Sequence, residues 1–132
     1  MSGRADSGAS GGSGAEVVDT RKRGQPEGCV YAVPFAEVWD LVASEIQSQR
    51  GWDLVHADEE RGMFTVVCRS RFPKRTDDLT IWIRLDENGL TRLDVRSSSR
   101  EGRRQPGGLK RRVESLLGSV ERSLGPGARV RG

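Results

Sequence analysis

The residues of this 132-residue chain best suited to chemistry are arginines and serines in its second half. The run Arg96-Ser97-Ser98-Ser99-Arg100 leaves a strand-like segment and continues to Arg103. Hydroxyl and guanidinium groups around a glycine, just before a helix begins, are typical of an oxyanion-binding turn. The alternative is structural, with serines that bond to nearby backbone and Arg100 paired with an acid such as Asp78.

A tryptophan among arginines is the second candidate site. Strand alternation places Trp82 and Arg84 on one sheet face, together with Asp94 and Arg96 of the next strand. There the indole can stack on a base or another planar group while guanidinium groups hold phosphate or carboxylate. The alternative is a solvated face on which Arg84 and Arg96 pair with Asp94, each contact contributing under about 1 kcal/mol.

Residues for catalysis or metal binding are few. The chain has one histidine, His56, and two cysteines, Cys29 and Cys68, which leaves a disulfide between them open. Structural zinc sites use four ligands, and a serine or cysteine nucleophile needs a positioned base. Asp77 and Asp78 are adjacent, but neighbours in a strand point to opposite faces. We therefore expect no enzyme activity, no cofactor and no metal site.

The elements that must position these residues follow from the spacing of apolar side chains. Residues 29–124 predict a two-layer α+β domain, an antiparallel sheet in the order β-α-β-β-β-β-α with two helices on one face. The first helix follows Pro34 and stops at Gly51, and the second runs from about Gly108 to Leu124. The strands are expected at residues 29–33, 52–58, 63–70, 79–85 and 90–99, with a polar loop at residues 71–78.

Alternation also predicts which side chains the helices cover. These are apolar residues of three neighbouring strands: Phe64, Val66, Cys68, Leu79, Ile81, Ile83, Leu85, Leu93 and Val95.

The two ends of the chain differ from this middle part. Residues 1–28 and 125–132 contain little that a core would bury, so we expect disordered tails around a single domain. The net charge of +3 is also uneven. Residues 29–99 hold nine basic and twelve acidic side chains, whereas residues 100–132 hold nine and three, which gives −3 and +6. An anionic partner is therefore expected at the C-terminal loop and helix.

Membrane insertion and export are not indicated by the chain itself. No apolar stretch approaches the roughly 20 residues that a spanning helix needs, and the N-terminus lacks the apolar core of a secretory signal. We expect no transmembrane segment and a cytoplasmic protein as the chain stands, or an exported or organellar one if a precursor segment was removed.

Four segments, at residues 33–39, 51–55, 77–84 and 92–103, carry a family resemblance. Over residues 29–124 the chain resembles the uncharacterised bacterial and plastid family catalogued as domain of unknown function 1499. The most specific string is Asp-Val-Arg-Ser-x-Ser-Arg-x-Gly-Arg at residues 94–103, followed by Arg111-Arg112-Val113. The chain departs from the family at Gln105, where an acid is usual, and at Leu109, where an amide is usual. The resemblance implies the fold and no established activity.

From these features we expect a small non-catalytic binding module that engages a protein partner or an anionic small ligand. The expected site comprises Arg84, Asp94, Arg96, Ser97, Ser99, Arg100, Arg103 and Trp82, with a basic patch of Arg104, Lys110, Arg111 and Arg112. One alternative, which is not favoured, is single-stranded nucleic-acid binding by the Trp82 face. A weaker one is a hydrophobic-ligand carrier with its cavity between sheet and helices. The oligomeric state stays open.

Overall fold

The structure is a computed structural model that describes residues 16–72, 74–101 and 107–130. Its elements, in chain order, are β1 (Val17–Asp19), β2 (Cys29–Tyr31), α1 (Phe35–Ser48), β3 (Trp52–Asp58), β4 (Met63–Arg71), β5 (Lys74–Leu85), β6 (Thr91–Ser99), α2 (Gly108–Leu124) and β7 (Arg129–Val130).

Seven strands pair antiparallel in one sheet. The order across the sheet is β3-β4-β5-β6-β2-β7, and β1 pairs with β6 alongside β2. The predicted α+β class and the β-α-β-β-β-β-α order are confirmed, with β1 and β7 as additional short strands. The α2 helix has the predicted bounds. Neither α1 nor α2 is long and apolar enough to cross a bilayer.

The core lies between the two helices and one face of the sheet, which we call the helix-covered face. Cross-strand partners share a face, and the set that includes Phe64, Ile81 and Val95 is buried in one cluster with α1 and α2. The buried face was therefore predicted correctly, with one exception. Leu85 is 57% exposed because it is the last residue of β5, beside the turn. The opposite side of the sheet is called the open face below.

The first strand lies inside the segment predicted to be a tail. β1 pairs with residues 96–98 of β6, and Val18 joins the core. Thr20 continues the pairing, since its N–H donates to the Val95 carbonyl and its Oγ1 accepts from the Val95 N–H. Similarly, β7 pairs with β2 inside the predicted C-terminal tail. Such short strands show no alternation, and it is long-range pairing that stabilises them.

A second difference is the predicted polar loop at residues 71–78. β4 and β5 instead continue into a tight hairpin, where Arg71 lies opposite Lys74. Polar cross-strand pairs such as Arg69 with Thr76 form this extension, so it carries no hydrophobic signal. As a result, Asp77 lies within β5, between Cys68 of β4 and Ser99 of β6.

The two cysteines are buried and do not form a disulfide bond with each other. Cys29 lies on β2 and Cys68 on β4, and two further strands separate them in the sheet.

Candidate functional site

A polar row crosses the helix-covered face near the end of the sheet from which α2 begins. Trp52, Cys68, Asp77 and Ser99 are successive cross-strand partners, and we call them the Asp77 row. Asp77 is fully buried, and Cys68 and Ser99 are nearly so. A carboxylate at such a depth requires a charged or hydrogen-bonding partner.

Arg112 of α2 supplies that partner. Its Nη1 donates to Asp77 Oδ2, and the two side chains form an ion pair. Helical spacing places Arg112 one turn before Leu116, on the face of α2 that packs against the sheet. The Arg112 side chain is 19% exposed and that of Asp77 is 1% exposed, so the guanidinium extends from the surface to the buried carboxylate.

Two serine hydroxyls lie on the same face. Ser99 is the cross-strand neighbour of Asp77, and Ser97 is that of Leu79. Both serines are buried, and their Oγ atoms have no hydrogen-bond partner among the described residues. A buried hydroxyl without a partner costs about 1–3 kcal/mol, so such groups are few in native structures.

An open cleft of about 260 Å³ lies beside Arg112 and Trp52. Its walls combine a guanidinium, an amide and a hydroxyl with two apolar side chains, and we call it the Arg112 cleft. The lining residues are Gln49, Trp52, Arg112, Ser115 and Leu116. The cleft therefore offers several hydrogen-bond donors beside a small apolar wall, an arrangement that suits a molecule with an anionic head and an apolar body.

The predicted Trp82 site lies on the open face and is partly covered. The guanidinium carbon of Arg21 lies 3.6 Å from the centroid of the Trp82 ring. Asp19 holds Arg21 in place through two hydrogen bonds of 3.0 and 2.9 Å to its guanidinium. The indole thus already carries a cation on this side, and the stacking proposed for nucleic acid would have to displace Arg21.

Asp94 is also enclosed on the open face. It accepts from Thr20 Oγ1 at 2.7 Å and from Arg92 Nε at 2.8 Å, and it is 2% exposed. The expected pairing of Asp94 with Arg84 and Arg96 is wrong. Arg92 lies two residues from Asp94 on the same face, whereas Arg84 is opposite Arg92 and Arg96 is opposite Thr80.

The structure thus separates the residues that were expected to form one site. Ser97 and Ser99 belong to the helix-covered face, and Arg100 pairs with Asp78 at 2.8 Å, as the structural alternative anticipated. On α2, Lys110 and Arg111 are exposed while Arg112 turns inward. The open face carries Trp82, Arg84, Asp94 and Arg96. The predictions for Arg103, Arg104 and Gln105 fall on positions outside the described residues.

Five residues of the ion pair and the cleft were not predicted as site residues: Asp77, Trp52, Gln49, Ser115 and Leu116. A signal existed for the first of them. Asp77 lies two residues before Leu79, so strand alternation predicts that it faces the core. A charged residue at a core position needs a charged or hydrogen-bonding partner. The prediction that Asp77 and Asp78 point to opposite faces is confirmed.

The Asp19–Arg21 pair should make the free energy of unfolding depend on pH. Burial raises the pKa of Asp19, but hydrogen bonds from the Arg21 side chain and N–H outweigh this, so its pKa lies below the ordinary 3.8. Stability from such a group is present above the ordinary pKa and is lost as the pH falls through the lowered value. We expect Asp19→Asn to lose about 1–2 kcal/mol of unfolding free energy at neutral pH.

Urea unfolding of both proteins over a pH series measures this effect. The difference between Asp19→Asn and the unmodified protein should shrink as the pH falls below 3.8. Asp53→Asn is the control, because Asp53 is an exposed partner of Arg69. A difference for Asp19→Asn that is constant across the series would rule out the linkage.

Comparison with known protein families assigns the chain to one of them. A family model described as a protein of unknown function (DUF1499) matches residues 16–120. The matched stretch begins at β1 and contains every residue that lines the Arg112 cleft. No curated protein matches the chain.

Proposed function

The chain belongs to the DUF1499 family of proteins of unknown function, and from its geometry we propose a non-catalytic binding module whose Arg112 cleft takes a small carboxylate. One observation carries the proposal: Arg112 lines the cleft while its guanidinium is anchored from behind by the buried Asp77.

The donors around the cleft favour an anion. A guanidinium has five N–H donors in a planar fork, and the bond to Asp77 involves Nη1. Gln49 and Ser115 add an amide and a hydroxyl at the cleft wall. Charge supports the same preference, because Lys110 and Arg111 are exposed on the first turn of α2, where the helix dipole also favours negative charge.

The size and the apolar wall of the cleft limit the ligand. Trp52 and Leu116 form the wall that would contact an aromatic or short aliphatic group. A volume of about 260 Å³ is slightly below the 300–1,000 Å³ usual for drug-sized ligands. We therefore expect a ligand of the size of benzoate, with one carboxylate and a compact apolar body.

The buried ion pair supports a positioning role for Asp77. Pairs of this kind contribute little net stability, because desolvation offsets the attraction, and apolar replacements of both partners are often neutral. Their other effect is geometric. Asp77 holds the Arg112 guanidinium in one orientation, which reduces the entropy lost when a carboxylate binds.

Binding rather than catalysis agrees with the side chains at the cleft. Among the described residues, the lining provides one hydroxyl, Ser115, and neither a carboxylate nor a histidine to act as its base. His56 lies on β3 opposite Thr65 of the open face, away from the cleft.

Calorimetric titration with benzoate as the probe tests the proposal, with benzamide as its uncharged isostere. We expect benzoate to bind and benzamide to bind at least tenfold more weakly, because the charge-assisted bond to Arg112 is lost. Replacing both exposed donors, in Gln49→Ala/Ser115→Ala, should weaken benzoate binding by about tenfold.

The matched control is Gln47→Ala/Ser123→Ala. It removes the same chemical groups at exposed positions on the same two helices, outside the cleft lining. Equal binding of benzamide and benzoate, or an equal loss in the control, would contradict a carboxylate site at Arg112.

A further inference from the structure

The β4–β5 hairpin ends in an almost fully exposed phenylalanine. Phe72 is 94% exposed, while the next most exposed large hydrophobic residue, Val55, is 61% exposed. Single exposed apolar side chains are common on protein surfaces. The significance of Phe72 therefore depends on what surrounds it.

Cations flank Phe72 on both strands of the hairpin. Arg69 and Arg71 precede it on β4, and Lys74 and Arg75 follow on β5. Arg71 lies directly opposite Lys74, and like charges in that position destabilise a strand pair. Both of these side chains are exposed, and neither forms an ion pair within the described ranges. The tip of the hairpin is thus basic, although the like-charged pair of Arg71 and Lys74 lowers the stability of the hairpin.

The start of α2 adds cations at the same end of the molecule. β6 ends beside the beginning of β5, with Ser99 opposite Asp77, and α2 begins shortly afterwards. The first turn of α2 carries Lys110 and contains no acidic residue, which is the unfavourable sign for the helix dipole. The β4–β5 hairpin and α2 therefore both carry positive charge at this end of the molecule, although in each case it lowers the stability of the element.

The opposite end of the sheet is acidic. The β3–β4 turn carries Asp58, Glu59 and Glu60, and the β5–β6 turn carries Asp86 and Glu87. In an antiparallel sheet these turns lie a full strand length from the β4–β5 tip. The charge distribution is therefore bipolar, and it would orient the molecule with the hairpin tip towards an anionic surface.

We infer that the β4–β5 hairpin docks on an anionic lipid bilayer. The basic side chains contact lipid headgroups, and Phe72 inserts into the boundary between headgroups and acyl chains. Charge alone would suffice for an acidic protein surface, whereas an aromatic side chain that projects at the tip between cations suits the layered polarity of a bilayer. This inference is independent of whether the Arg112 cleft is occupied.

Sedimentation of the full chain with vesicles tests the inference. We expect binding to vesicles of phosphatidylglycerol and phosphatidylcholine in equal parts, no binding to phosphatidylcholine alone, and weaker binding as salt is added. Phe72→Ala should lower the partition coefficient by about tenfold, the effect of losing one inserted aromatic side chain. The control, Leu85→Ala, removes an apolar side chain that is 57% exposed at the other end of the sheet and should change nothing.

A second pair of variants tests the cations. Arg71→Gln/Lys74→Gln should lower the partition coefficient by about 30-fold, since each basic residue near an anionic surface contributes about 1 kcal/mol. Arg61→Gln/Arg122→Gln removes the same charge at exposed positions outside the β4–β5 hairpin, in the β3–β4 turn and the last turn of α2, and should have no such effect. Binding to anionic vesicles that is unchanged in Phe72→Ala, as docking on charge alone would give, overturns the inference. So does equal binding to neutral vesicles.

Discussion

Replacing Arg112 with methionine should lower the free energy of unfolding by about 3–5 kcal/mol, because it leaves the Asp77 carboxylate buried without its ion-pair partner. Asp77 is fully buried, and water that enters from the open Arg112 cleft would bring no charge to compensate the carboxylate. Urea unfolding at neutral pH measures the loss. In thermal unfolding the midpoint should fall by at least about 12 °C for a domain of this size.

Two variants separate this effect from the loss of any arginine. Arg100→Met removes the partner of Asp78, and because both of those side chains are substantially exposed, the loss should be much smaller than in Arg112→Met. Asp77→Leu/Arg112→Met removes both buried charges and should recover most of the stability. A loss in Arg112→Met no larger than in Arg100→Met would show that Asp77 does not depend on Arg112.

Gly28→Ala is expected to cost about 2–3 kcal/mol, since it forces a side chain into a closed space. A Cβ at residue 28 would overlap Asp94 Oδ1 and lie 2.6 Å from the Leu93 carbonyl oxygen. β2 begins at the next residue, Cys29, which pairs with Leu93, so the backbone cannot retreat and keep that pairing. The substitution should also loosen the Thr20–Asp94 contact.

Gly118→Ala is the matched control within α2. The nearest atom to its added Cβ is Arg122 Nη1 at 3.3 Å, the flexible end of a side chain. Alanine in a helix interior is favoured over glycine by about 0.5–1 kcal/mol, so this variant should gain stability. Chemical unfolding gives both values, and amide exchange at Val95 reports the Thr20 contact. Wild-type stability in Gly28→Ala would contradict the close packing of residue 28 on Asp94.

The parts of the fold that sequence predicts best are those with a local, repeated signal. In α2, apolar residues at three- and four-residue spacing, such as Leu109, Val113 and Leu116, indicate one continuous helix, and its bounds are confirmed. Alternation along β5 likewise identifies the face that packs on the helices.

Elements that are stabilised by residues far away in sequence show no such local pattern. β1 has three residues, of which Val18 alone contributes to the hydrophobic core, and it is ordered by pairing with β6. The hairpin beyond Cys68 is polar on both strands, so its strand character appears only in the cross-strand register. Local propensity gives no measure of either interaction.

The candidate site shows the same limit. Arg96 and Ser97 are adjacent in a string that reads as one motif, yet neighbours in a strand point to opposite faces, and the structure separates them. From the basic helix, Arg112 reaches the same sheet face as Ser97 and Ser99, through its ion pair with Asp77. Its partner Asp77 is 35 residues away in sequence, a distance over which no pattern links the two.

The most direct test of the proposed function is to locate bound benzoate by intermolecular nuclear Overhauser effects in the full chain. A ligand whose carboxylate pairs with Arg112 should show contacts from its ring protons to the indole of Trp52 and the methyl groups of Leu116, which form the apolar wall of the cleft. Contacts to Trp82 on the open face instead, or no contacts at Trp52 under saturating benzoate, would contradict a carboxylate-binding site at the Arg112 cleft.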